Sequence, residues 1–191
     1  MVRSKWSGAA LALSIAFSAS PASAQAYLGG SIGQSEIDEQ IATGLITGGS
    51  VDGTDSAFKI FGGYMFNRHF GLEAAYVDLG EASYSGNFGG FPVTGGRVKV
   101  SGVNISALGA LPIGERFSVF GKIGLFMWDA EASDTTAGVP FSAQQDGTDL
   151  SFGIGFGYQF TRNLGVRAEW EMFTTEDAES SLISVGLLWR F

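Results

Sequence analysis

The sequence predicts an all-β protein: one antiparallel, up-and-down barrel of eight strands that spans a membrane. Three observations carry this. At the C-terminus Ile183, Val185, Leu187, Trp189 and Phe191 alternate with Ser184, Gly186, Leu188 and Arg190. Seven earlier segments alternate in a similar way. The connections between the eight run long, short, long, short, long, short, long. A strand that is apolar outward and stops on a terminal aromatic is the ending expected of a bacterial outer-membrane barrel.

The N-terminus agrees. Arg3 and Lys5 precede an uncharged run from Gly8 to Ser20, and Ala22-Ser23-Ala24 offers a cleavage site before Gln25. This is a secretory signal peptide over 1–24, too short in its apolar run for the ~20 residues of a membrane-spanning helix. Residues 25–191 then form a single domain. Cysteine is absent, which excludes disulfides, thiol catalysis and thiolate metal sites. The formal charge of −8 lacks the basic footprint that phosphate contacts need, so no nucleic acid is expected as partner. With 29 Gly and 13% aromatics but only 4 Pro, the composition suits many strands joined by tight turns.

The first strand is expected from Ala26 to Ser35, with Leu28, Gly30 and Ile32 on one side. The second, Ser56 to Phe66, sets Phe58, Ile60, Tyr64 and Phe66 against Lys59, Phe61 and Gly63. Asn67-Arg68 makes a turn into His69 to Leu79, where Phe70, Leu72, Ala74 and Tyr76 oppose Glu73. In Arg97 to Leu111 the phase changes: Val98 and Val100 have one, Val103, Ile105, Ala107 and Leu111 the other. A bulge near Ser101-Gly102 would reconcile them. After Pro112 to Glu115 comes Arg116 to Asp129, with Phe117, Val119, Ile123, Leu125 and Met127 opposite Lys122. Leu150 to Phe160 alternates large apolar residues with Ser151, Gly153, Gly155, Gly157 and Gln159, and an inward serine at Gly155 is expected to be mild. The seventh, Leu164 to Thr174, sets Leu164, Val166, Ala168, Trp170 and Met172 against Arg167, Glu169 and Glu171. Strands of roughly 9–13 residues suit a tilted crossing.

A soluble sandwich or lipocalin-like barrel is the competing reading. It would have to pack Phe and Trp from every strand into one small core, with the charges outside. The reverse orientation in water would expose far more than the few hundred Å² of apolar patch a soluble monomer shows. Lipid resolves the conflict and places the chain in the bacterial outer membrane.

The long connections, 36–55, 80–96, 130–149 and 175–181, are expected as four acidic extracellular loops, since fifteen of the nineteen acids fall in or beside them. They could contact divalent cations and so lipopolysaccharide phosphates, or form a solvated acidic surface; no D-x-[DN]-x-[DN]-G calcium loop is present. No metal site and no cofactor are predicted. The inward charges Lys59, Glu73, Lys122, Arg167 and Glu169, with Glu171 at their end, must pair or meet water. Paired, they plug a lumen only wide enough for side chains; wetted, they line a small porin-like channel. No catalytic residue is predicted: the single histidine, His69, sits at a turn of the expected periplasmic end. Trp170, Trp189 and Phe191, with Tyr64 and Tyr76, are expected as interface anchors, while alternation turns Trp128 inward.

With the strands placed, Phe61-Gly-Gly-Tyr-Met-Phe-Asn67, Gly71-Leu-Glu-Ala-Ala-Tyr76, Gly121-Lys-Ile-Gly-Leu-Phe-Met-Trp128 and Val166-Arg-Ala-Glu-Trp170 can be compared with known barrels. Over residues 25–191 the chain resembles the OmpA-like eight-stranded outer-membrane β-barrel family. The resemblance implies that Glu73, Arg167 and Lys122 belong to a salt-bridge network in the lumen. It also implies that Phe191 is read by the barrel-assembly machinery. Gly157 departs from the pattern, where an inward carboxylate would be expected, so the network would be rewired through Glu169. No peptidoglycan-binding domain is carried over. The sequence thus predicts a monomer among outer-membrane lipid and lipopolysaccharide, with a structural or surface-interaction role and a small channel as the alternative.

Overall fold

A computed structural model describes residues 25–38, 46–52, 54–88, 91–136, 139–174 and 179–191; the expected signal peptide lies outside these. Among the described residues nine strands are formed: β1 (Gln25–Asp38), β2 (Ile46–Asp52), β3 (Thr54–Met65), β4 (Phe70–Phe88), β5 (Phe91–Ile113), β6 (Phe117–Thr136), β7 (Val139–Gln159), β8 (Leu164–Thr174) and β9 (Glu179–Arg190). Every pairing is antiparallel. Each strand from β3 to β9 pairs with the next, and β1 lies between β3 and β9, which closes the ring. Short β2 pairs with the upper part of β4, above the stretch that β3 occupies. Together β2 and β3 make one stave, so the barrel has the eight staves that the alternation predicts.

The outward face is the apolar one. Ile32, Phe70, Phe156 and Ile183 are each more than 60% exposed, and similar side chains follow at every second position of the staves. Such a band is stable only against hydrocarbon. Trp189 lies between Leu28 and Leu164 near the end of the barrel, and the Phe191 amide donates to the Ala26 carbonyl at 3.0 Å. Trp170 stands between Ile154 and Ile183 with Met172 beyond it, inside the apolar band rather than at its rim. At the tight turn before β4, the Asn67 side-chain oxygen accepts from the amides of His69 and Phe70, and His69 Nδ1 donates to Ala110 O at 3.1 Å. His69 therefore ties two hairpins together.

Four features differ from the sequence-based expectation. The connections 80–96 and 130–149 are mostly paired strand: β4–β5 pairs up to Phe88↔Phe91 and β6–β7 up to Thr136↔Val139. At ~3.3 Å per residue, the 23 residues of β5 run about 75 Å, far beyond a band about 25 Å tall even when tilted. The hairpins thus stand well above the membrane. Polar and small residues pair there as readily as apolar ones, because the ladder is made by backbone. Of the acids expected in loops, Glu39, Glu176 and Asp177 lie outside the described residues.

Second, no bulge interrupts β5 near Ser101-Gly102: the β5–β6 register runs unbroken from Arg97 to Ile113. Val98 and Val100 keep one phase with Asn104 and simply face inward. The irregularity lies across the pair, in β4 between Asp78 and Glu81, where Gly80 has φ +82°. Asp55 holds it by accepting from the amides of Ser56 at 2.7 Å and Glu81 at 2.6 Å. Those donors hold the Asp55 carboxyl below its ordinary value. The Asp78 carboxylate accepts from Gly80 N at 3.0 Å and the Ser35 hydroxyl donates to Leu79 O at 2.5 Å.

Third, Gly155 has no spare room: a Cβ there would drive into the Phe120 ring and reach the Ala168 carbonyl at 2.7 Å. Fourth, the part of the lumen toward the long hairpins is apolar. Val77, Leu79, Phe126, Phe173 and Leu182 are almost wholly buried, and the Phe126 and Phe173 rings lie 4.5 Å apart.

Candidate functional site

Alternation fixes what enters the lumen. From β3 come Lys59 and Phe61, from β4 Glu73, from β6 Lys122, and from β8 Arg167, Glu169 and Glu171 at successive inward positions. All seven are buried, none exposing more than 7% of its surface. Burying a lone charge this far is prohibitive, so the geometry of pairing decides whether the arrangement is stable.

Three cations meet three carboxylates. Arg167 grips Glu73 in a fork, Nη1 to Oε2 at 2.6 Å and Nη2 to Oε1 at 3.1 Å. Its Nε also lies 2.5 Å from Glu169 Oε1, a charge contact without hydrogen-bond alignment. Lys122 reaches all three acids: Glu73 at 3.1 Å, Glu169 at 3.2 Å and Glu171 at 2.7 Å. Lys59 closes the group by pairing with both Glu169 and Glu171. The five residues the sequence marks as inward charges are brought together here. Glu171, at the end of the inward row on β8, makes the charge balance. With it the cluster is neutral; without it one positive charge would stay buried.

Two aromatic residues complete the layer. The Tyr27 hydroxyl donates to Glu73 Oε2 at 2.8 Å, and the Arg167 guanidinium carbon stands 3.4 Å from the centre of the Phe61 ring. Guanidinium on an aromatic face is a favourable way to cover a buried cation. Phe61 is in phase with Lys59, so the alternation carries its inward position. Tyr27 gives no comparable signal, since its role depends on strands far away in sequence.

Toward the outside, Asn104 Oδ1 accepts from Ser151 at 2.8 Å and Ser106 at 3.3 Å, followed by the apolar layer. Trp128 is turned inward and its indole donates to Asp149 at 2.5 Å, so it is no interface anchor. Outside, Lys99 bonds to Asp78 at 3.3 Å, which raises the lysine above its ordinary value. Asp129 and Asp146 are exposed and directly opposed on β6 and β7. Among the described residues no three of His, Asp and Glu gather as metal ligands. Toward the turns, the layer opens into a cavity of about 900 Å³ bordered by Tyr27, Phe120, Gly157, Gln159, Arg167 and Arg190.

Comparison with known proteins agrees with this architecture. The family model for the outer membrane protein β-barrel domain matches residues 9–191. Outer membrane protein A of Salmonella typhi is 28% identical over 175 residues, covering 86% of this chain and 48% of that protein. Its counterpart in Yersinia pseudotuberculosis is 27% identical over 177 residues, with 86% and 48% covered. The chain thus spans about half the length of these relatives. Among solved structures, the attachment invasion locus protein Ail of Yersinia pestis superposes with a TM-score of 0.62 at 19% identity, covering 89% of this chain and 100% of Ail. Neisserial surface protein A gives 0.60 at 16% identity, with 87% and 97% covered. These two share the fold. The chain is a bacterial outer-membrane protein and belongs to the outer membrane β-barrel domain family.

Proposed function

We propose that this protein is a non-conducting, non-enzymatic barrel that anchors tall extracellular hairpins for a structural or surface-interaction role. The observation that carries the reading is the neutral cluster of three cations and three carboxylates, buried across the lumen beneath an apolar layer. An ion crossing would have to break charge-assisted bonds and then pass Phe126, Phe173 and Leu182 without water. Either barrier alone opposes conduction. The barrel works as a monomer in contact with outer-membrane lipid and lipopolysaccharide, inserted by the barrel-assembly machinery that reads Phe191. Its acidic hairpin tops act as a solvated surface that repels anions.

Planar-bilayer recording of the refolded, inserted protein tests this. The proposal predicts no steady conductance steps. Reproducible steps that change in Glu73→Gln would instead establish the porin-like reading.

A further inference from the structure

The periplasmic third of the lumen is built differently from the rest. Above it, paired charges and buried aromatic and aliphatic side chains fill the lumen. Here small residues leave the cavity of about 900 Å³, with Gly157, Ser118 and Ala110 on its wall. It is a pocket with one mouth: the Tyr27–Glu73–Arg167 layer closes the inner end, and the turn residues Asn67, Arg68 and Glu115 edge the other. Its volume falls in the range of small-molecule sites.

The lining is basic. Arg68 and Arg116 stand at the mouth, Arg190 projects inward from β9, and Arg167 forms part of the inner end. Glu115 and terminal Phe191 are the opposing acidic contributors at the rim. The Arg167 charge is already matched by Glu73 and Glu169. That of Arg190 is not: among the described residues its half-buried guanidinium forms no ion pair. Beside it a second donor waits. The Gln159 Nε2 is buried and has no hydrogen-bond partner. Gln159 pairs with Gly165 of β8, which pairs in turn with Leu188 of β9, two residues before Arg190, and the Gln159 side chain lies over this glycine. An unmatched cation and an unsatisfied amide donor thus belong to two residues that line one cavity. A buried donor without a partner is costly, and with the Gln159 side chain turned into the cavity one anion would satisfy both groups.

We propose that this vestibule is a binding site for a small anion carrying a phosphate or carboxylate group, entered from the periplasm and held by Arg190 and Gln159. The ligand meets Tyr27, Phe120 and Leu188 on the remaining walls, which accommodates an apolar portion beside the anionic head. The site is independent of conduction and of the extracellular hairpins.

The test is calorimetric titration of inorganic phosphate into the refolded barrel in zwitterionic nanodiscs, with folding of every variant checked by its heat-dependent gel mobility. Saturable binding is expected, weakened about tenfold or more in Arg190→Gln. Binding should be largely retained in Arg190→Lys and unchanged in Arg162→Gln, a turn arginine that does not border the cavity. Gly157→Asp leaves both donors in place and puts a carboxylate into the vestibule, where a Cβ meets only the Ser118 hydroxyl closely; it should weaken binding at least as much as Arg190→Gln. Repeating the titration with anionic lipid distinguishes the source: competition assigns the site to a lipid headgroup, no competition to a soluble anion. No saturable binding, or equal weakening by Arg162→Gln and Arg190→Gln, would overturn the proposal.

Discussion

Replacing Glu73 by glutamine is the sharpest perturbation of the lumen. Its carboxylate accepts four hydrogen bonds: two from Arg167 at 2.6 and 3.1 Å, one from Lys122 at 3.1 Å and one from Tyr27 at 2.8 Å. Glutamine keeps the shape but turns an NH₂ toward donors and leaves three cations over two anions. Breaking one partner of a buried ion pair costs about 3–5 kcal/mol, because the remaining charge stays dehydrated. Arg167→Met should cost a similar amount by leaving the opposite imbalance. The double variant restores two against two, so its loss should fall short of the sum by about 1–3 kcal/mol. The assay is urea unfolding in lipid vesicles, followed by tryptophan fluorescence and gel mobility. Arg97 and Glu81 provide the control, since that pair is exposed at 3.3 Å and should couple by no more than about 1 kcal/mol. Additive losses for Glu73 and Arg167, or single losses as small as the control's, would refute a dry, mutually neutralising cluster.

Four further outcomes follow from the same geometry. Phe156→Arg puts a charge on the lipid face and should cost about 2–4 kcal/mol near mid-membrane, measured by the same unfolding; Gly155→Ser should cost about 1–3 kcal/mol by overpacking against Phe120. Gly80→Ala should loosen the β4 irregularity, since its φ of +82° and the nearby Ser56 carbonyl at 2.8 Å both resist a Cβ; faster amide exchange at Glu81 with unchanged global stability is the expected signature. The depressed Asp55 carboxyl stabilises that same corner above the ordinary aspartate value and ceases to do so as pH falls through its folded value, so protection of the Ser56 and Glu81 amides should drop only in acid; protection independent of pH would count against the assignment.

The staves were legible because lipid and lumen impose a strict period of two, and that period survives even in glycine-rich β7. The inward phase of Lys59, Glu73, Lys122, Arg167 and Glu169 followed from it directly. What could not be read is how residues of one phase share a finite space. Gly155 looks like room along its own strand, yet Phe120 from the neighbouring strand fills it. Phe126, Phe173 and Leu182 have inward phase in the sequence too, but only closure of the ring brings them into one layer. The long connections misled because acidic and small residues signal solvent, and solvent does not prevent backbone pairing. In β5 an apolar side chain does not mark the lipid face, because Val98 and Val100 point into an apolar lumen above the membrane-spanning part.

The most direct test of a sealed lumen is the ¹⁵N spectrum of the lysine ammonium groups at neutral pH. Water-exposed ammonium protons exchange too fast to be seen, whereas Lys59 and Lys122, held between carboxylates out of water, should give slowly exchanging signals. These should vanish in Lys59→Met and Lys122→Met respectively. Rapid exchange at both sites in a correctly folded barrel would contradict the account, because it would place a continuous water path where the structure places paired charge.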